Sequence, residues 1–133
     1  MTEAGLAARP QLASHKRSIL LVEDDDAVRR SLQLLLAASG YMVRAYGSPV
    51  GLARDPAALS CECLIADLIV PPTDAVALLG DMRSVGWNGR AILISGYLDE
   101  HWQDRASAAG FDVALAKPLS ETMLVRMIAQ LLP

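Results

Sequence analysis

Four short polar groupings in this sequence hold residue types that handle charge. Glu23-Asp24-Asp25-Asp26 follows the apolar run Ser18 to Val22. Asp67 follows Cys63 to Ala66, Ser95-Gly96 closes Ala91 to Ser95, and Lys117-Pro118 follows Asp112 to Ala116. If Glu23, Asp24 and Asp67 meet, they repel. At ~4 Å two like charges cost about 4 kcal/mol at the effective dielectric of a protein surface. A hard divalent cation removes that cost, and Mg²⁺ favours one or two carboxylates, waters and a phosphate oxygen. Asp67 is then free to act as a nucleophile toward phosphorus, giving an acyl phosphate. The new phosphoryl oxygens need further donors. Ser95 offers a hydroxyl and Lys117 a point charge.

These groupings converge only if parallel strands deliver them to one edge. Five short apolar runs recur along the chain: Ser18 to Val22, Tyr41 to Tyr46, Cys63 to Ala66, Ala91 to Ser95 and Asp112 to Ala116. Their spacing, about 20 to 30 residues, is that of βα units. The first, third and fourth are almost continuously apolar, as strands covered on both faces read. Helical patterns lie between them, predicted over Asp26 to Ser39, from Pro49 to Asp55-Pro56, and over Asp74 to Val85, Asp99 to Ala109 and Ser120 to Leu132. The first begins in acids and stops at Gly40, a natural C-terminal cap. Alternation of this kind predicts an α/β fold, a parallel sheet with helices on both faces. Ligands of such sheets sit at the carboxyl ends of the strands, near the point where strand order reverses. All four groupings lie at such ends.

Composition sets outer bounds. The chain has 133 residues, 53% hydrophobic and 20% charged, which suits one domain and excludes disorder of its body. Twelve basic residues against 15 acidic give a net charge of −3; a nucleic-acid domain usually carries a basic excess, so no direct nucleic-acid partner is expected. No apolar run approaches the ~20 residues of a membrane span. Residues 1–17 read as a mobile leader, since their basic residues follow the apolar ones, the reverse of a signal peptide. A cytoplasmic location is expected. Cys61 and Cys63, with only His15 and His101 as other soft ligands, read as reduced thiols in or beside a strand.

With the motifs in place, the chain resembles a response-regulator receiver domain of two-component signalling. The matching pieces are Leu21-Val22-Glu23-Asp24-Asp25, Leu64-Ile65-Ala66-Asp67-Leu68 with Pro71 beyond it, Ile92-Leu93-Ile94-Ser95-Gly96, and Lys117-Pro118. The resemblance runs from about residue 18 to 132 and implies the flavodoxin-like strand order 2-1-3-4-5. It implies that Asp67 accepts a phosphoryl group from a histidine kinase or phosphotransfer protein. It further implies that Asp24 binds Mg²⁺ directly, that Glu23 assists through water, and that the backbone carbonyl of Ile69 is another ligand. Ser95 and Lys117 would hold the phosphoryl group, and the Lys117–Pro118 bond is expected cis. Signalling, often by homodimerisation, is expected through the face made by the fourth helix, fifth strand and fifth helix.

The sequence also departs from the family pattern. Ala114 stands where an aromatic usually precedes the lysine by three residues, which weakens the expected aromatic relay. Val70-Pro71-Pro72 and Ala75 replace the usual Met-Pro and Gly, and two prolines stiffen the loop. Ile69 and Tyr97, each two residues past a site residue, flank the path of a hydrolytic water and predict slow loss of phosphate. Asp25 and Asp26 read as residues of a helix start, Arg29 and Arg30 as surface residues, and Trp102 as partly buried with Leu98, Ala106 and Ala109. His101 fits a solvated helix start, and Trp87 has no evident role. Three other readings compete. A nucleotide-binding fold needs a Gly-x-Gly-x-x-Gly after the first strand, where acids stand instead and would repel a pyrophosphate. An Asp-nucleophile phosphohydrolase needs a second acid near the nucleophile, and Leu68 and Ile69 follow Asp67 instead. A receiver-like interaction module that is never phosphorylated is kept alive by Ala114.

Overall fold

The computed structural model describes residues 16–96 and 100–133. Most of the expected leader, together with His15, Tyr97, Leu98 and Asp99, lies outside them. Strands β1 (Ser18–Val22), β2 (Met42–Tyr46), β3 (Cys63–Asp67), β4 (Arg90–Ser95) and β5 (Val113–Ala116) form one sheet. Its order is β2-β1-β3-β4-β5, and every neighbouring pair is parallel. The order is the one the resemblance implies.

Helices α1 (Asp26–Ala38), α2 (Pro56–Leu59), α3 (Ala75–Ser84), α4 (Glu100–Ala109) and α5 (Glu121–Leu131) divide between the two faces. Leu32 and Leu36 of α1 and Leu124 and Ile128 of α5 join a core with Ile19, Leu21, Cys63, Ile65, Ile92 and Ile94. The opposite core gathers Ala58 of α2, Leu78, Leu79 and Met82 of α3 and Ala106 of α4 against Leu20, Val22, Leu64, Ala66, Ala91 and Leu93. Successive strand residues point to opposite faces. A strand covered on both sides therefore has no polar alternation left, which is why three of the runs read as unbroken apolar stretches.

Caps set where the helices begin. Asp25 accepts from the Val28 amide at 2.9 Å, Asp74 from Ala77 at 2.8 Å and Ser120 from Met123 at 3.2 Å. The helix expected from Pro49 is not there. Gly51 takes a left-handed conformation at φ 79°, a single 3₁₀ turn follows at Leu52–Arg54, and α2 starts only at Pro56, capped by Asp55. A left-handed residue cannot continue an α-helix. The loop after Asp67 contains a small antiparallel pairing of Ile69–Val70 with Thr73–Asp74, also unforeseen. The Lys117–Pro118 bond is cis, as expected, and so is Pro71–Pro72.

Trp87 has a clear structural place. It is buried, its Nε1 donates to the Cys61 carbonyl at 2.8 Å, and the Arg83 guanidinium lies 4.9 Å from the ring centroid. Gly89 passes so close that a Cβ there would come within 2.3 Å of the ring. Cys61 and Cys63 are free and buried. Trp102 packs against the second core while partly exposed. No helix among the described residues is long and apolar enough to cross a membrane.

Candidate functional site

The ends of β1, β3, β4 and β5 meet at one edge of the sheet. Parallel pairing fixes their relative height: Val22 pairs with Ala66, Asp67 with Ile94, and Ser95 with Ala116. Asp67 and Ser95 are therefore the last residues of their strands, Glu23 and Lys117 the first beyond theirs, and Asp24 follows Glu23. The Leu68 amide donates to the Ile94 carbonyl at 2.8 Å and the Lys117 amide to the Ser95 carbonyl at 2.9 Å. These bonds carry the sheet's alignment one residue past Asp67 on β3 and one past Ala116 on β5.

Glu23 turns inward and is 1% exposed. Its amide donates to the Tyr46 carbonyl at 3.0 Å, and its Oε2 accepts from the Asp25 amide at 3.1 Å. Its Oε1 accepts from Lys117 Nζ at 2.9 Å, and the same ammonium donates to Asp67 Oδ2 at 2.7 Å. Asp24 completes the group: carboxylate oxygens of Glu23, Asp24 and Asp67 lie within 4.8 Å of one another. Ser95 is buried to the same degree as Glu23 and sits, by register, between the strands that carry Asp67 and Lys117. Glu23, Asp24, Asp67 and Lys117 are thus brought together at one edge of the sheet. Asp25 and Asp26 stay apart: Asp25 caps α1, and Asp26 pairs with Arg29 at 2.6 Å.

Burial raises the Glu23 carboxyl above the usual carboxylate range, although the Lys117 bond and the Asp25 amide pull it down. Burial depresses Lys117, but its hydrogen bonds to Asp67 and Glu23 outweigh this and raise it overall. The lysine is thereby held charged, while Glu23 carries a charge that its surroundings oppose. Three carboxylates against one ammonium leave the pocket net negative. Hard oxygen donors in a net-negative pocket suit Mg²⁺ rather than a soft metal, so the residues present fit that ion. Ile69 follows in the small hairpin with its side chain 55% exposed.

Arg29 corrects the sequence reading. It is not simply a surface residue: its side chain is 23% exposed, and Nη1 donates to the Glu23 main-chain carbonyl at 2.9 Å. The Asp26–Arg29 spacing of three residues on a helix signals the ion pair. Nothing in the sequence signals the bond to a carbonyl.

A family model described as response regulator receiver domain matches residues 19–129. Response regulator protein TmoT of Ectopseudomonas mendocina is 28% identical over 124 residues, which is 93% of this chain and 56% of that protein. Transcriptional regulatory protein FixJ of Azorhizobium caulinodans is 27% identical over 108 residues, 81% of this chain and 51% of that protein. The chain spans about half the length of these curated relatives. Among solved structures, FixJ-N aligns with a TM-score of 0.76 and 27% identity over 87% of this chain and 93% of that one. The receiver domain of Francisella response regulator 1452 aligns with a TM-score of 0.81 over 87% of this chain and 96% of that one. At 18% identity it speaks to the fold alone.

Proposed function

The chain belongs to the response regulator receiver domain family, matched across residues 19–129, and from that premise we propose that it takes a phosphoryl group onto Asp67 from a histidine kinase or phosphotransfer protein. Phosphorylation then switches its protein contacts, including self-association through the face of α4, β5 and α5. The observation that carries this reading is the ammonium of Lys117 seated 2.7 Å from Asp67 Oδ2 beside two further carboxylates.

The step balances simply. A carboxylate oxygen of Asp67 attacks phosphorus, a P–O bond forms, the bond from phosphorus to the donor's imidazole nitrogen breaks, and its electron pair leaves with that nitrogen. Lys117 lies against the attacking carboxylate and meets the phosphoryl oxygens as they arrive. The Ser95 hydroxyl supplies a further donor. Such transfers are helped mainly by positioning and by charge stabilisation, and this strand-end geometry provides both. Glu23, Asp24, Asp67 and the backbone carbonyl of Ile69 would hold Mg²⁺. When bound, the ion neutralises charge on the phosphoryl oxygens.

Beryllofluoride, a mimic of the phosphoryl group, tests the assignment. Titrated with Mg²⁺, the native chain should bind one equivalent, and Asp67→Asn none, while light scattering follows association. Failure of the native chain to bind would favour the interaction module that works without phosphorylation. Turnover of a generic phosphomonoester would favour the phosphohydrolase.

A further inference from the structure

We propose that Arg29 is a positioning residue for the metal-binding loop, fixing the peptide between Glu23 and Asp24; the inference rests on the Mg²⁺ site proposed above. The Glu23 peptide is gripped on both sides. Its amide donates to Tyr46 at the end of β2, at 3.0 Å. Its carbonyl accepts from Arg29 Nη1 at 2.9 Å. That carbonyl belongs to the peptide group leading into Asp24, so its orientation sets where the Asp24 carboxylate points. Glu23 needs no such help, because its carboxylate is already held by Lys117 and the Asp25 amide.

The other arm of the same guanidinium holds Asp26 at 2.6 Å. The Asp26 side chain is 91% exposed, and this pairing keeps a fourth acid turned away from the pocket. A planar fork can serve a carbonyl and a carboxylate at once in fixed geometry; a lysine's single ammonium cannot reproduce it. Room for the fork comes from Gly47, just beyond β2. A Cβ at position 47 would approach Arg29 Nη1 to 2.9 Å and Cζ to 3.5 Å. Its backbone lies outside the left-handed region, so alanine there displaces the guanidinium without straining the main chain.

Charge and position make opposite predictions. Removing a positive charge beside a cation site by itself tightens cation binding. Releasing the Glu23–Asp24 peptide weakens it. Calorimetric titration of the native chain with Mg²⁺, beside Arg29→Met, Gly47→Ala and the double variant, separates the two. Arg29→Met should bind Mg²⁺ about tenfold more weakly, the lower range for loss of a group that orients a metal ligand. Gly47→Ala should weaken binding several-fold alone and add nothing to Arg29→Met, the signature of two changes acting through one contact. Binding by Arg29→Met as tight as native or tighter overturns the proposal. Should that variant fail to fold, Gly47→Ala decides alone, and native affinity in it overturns the proposal equally. A native chain that binds no Mg²⁺ overturns the site itself and Arg29's role with it, whereas native binding with unaltered variants overturns only Arg29's role.

Discussion

Lys117 Nζ lies 2.7 Å from Asp67 Oδ2 although 50 positions separate the two residues in the chain. Only β4 stands between their strands in the sheet. The pairing is a consequence of topology: parallel strands of matched height place the residue after β5 level with the end of β3. Because the same ammonium also holds buried Glu23, it compensates two carboxylates at once.

Lys117→Met should therefore destabilise the metal-free protein. A buried Glu23 left without its partner costs about 1–3 kcal/mol, below the full cost of breaking a buried pair because the lysine side chain is 29% exposed. Mg²⁺ should recover more stability in this variant than in the native chain, since it meets a more negative pocket. Thermal unfolding with and without Mg²⁺ checks both effects. Equal midpoints in the metal-free proteins would show that Lys117 does not compensate the pair.

Ile69 is expected to prolong the phosphorylated state. Its apolar side chain, 55% exposed and two residues beyond Asp67, offers an attacking water neither donor nor acceptor. Acyl-phosphate decay followed in Mg²⁺ should take minutes or longer, and Ile69→Asn should shorten it several-fold. Decay within seconds in the native protein would contradict the assignment.

Cys63 gives the protein a defined alkaline weakness. Burial pushes its thiol up to about 12, well above the ordinary cysteine range. Below the unfolded value both states keep the proton, and stability does not depend on this group. Between the two values the unfolded chain loses the proton while the folded chain holds it. Stability then falls as pH rises, by at most about 1.4 kcal/mol per pH unit. Denaturant unfolding across that window should show a shallower decline in Cys63→Ala than in the native chain. Parallel declines would contradict the account.

What the sequence reveals, and what it hides, follows from the physics of each contact. Continuously apolar β1, β3 and β4 are readable because helices cover both faces of the sheet, and Asp25 and Gly40 mark the ends of α1 through caps with a strong residue preference. Site residues are readable because parallel strands send their carboxyl ends to one edge. The helix expected at Pro49 fails because the left-handed state of Gly51 is invisible until the chain is folded. Trp87 finds its partner in the main-chain carbonyl of Cys61, and Arg29 in that of Glu23. A carbonyl belongs to every residue, so no residue type in the sequence announces such a bond.

The most direct measurement is intact mass after incubation with a small acyl phosphate donor and Mg²⁺. The native chain should gain the mass of one phosphoryl group, hydroxylamine should remove it, and Asp67→Asn should gain nothing. A native chain that stays unmodified while its Mg²⁺ site is filled, or an Asp67→Asn variant modified to the native extent, would contradict the assignment of Asp67 as the acceptor.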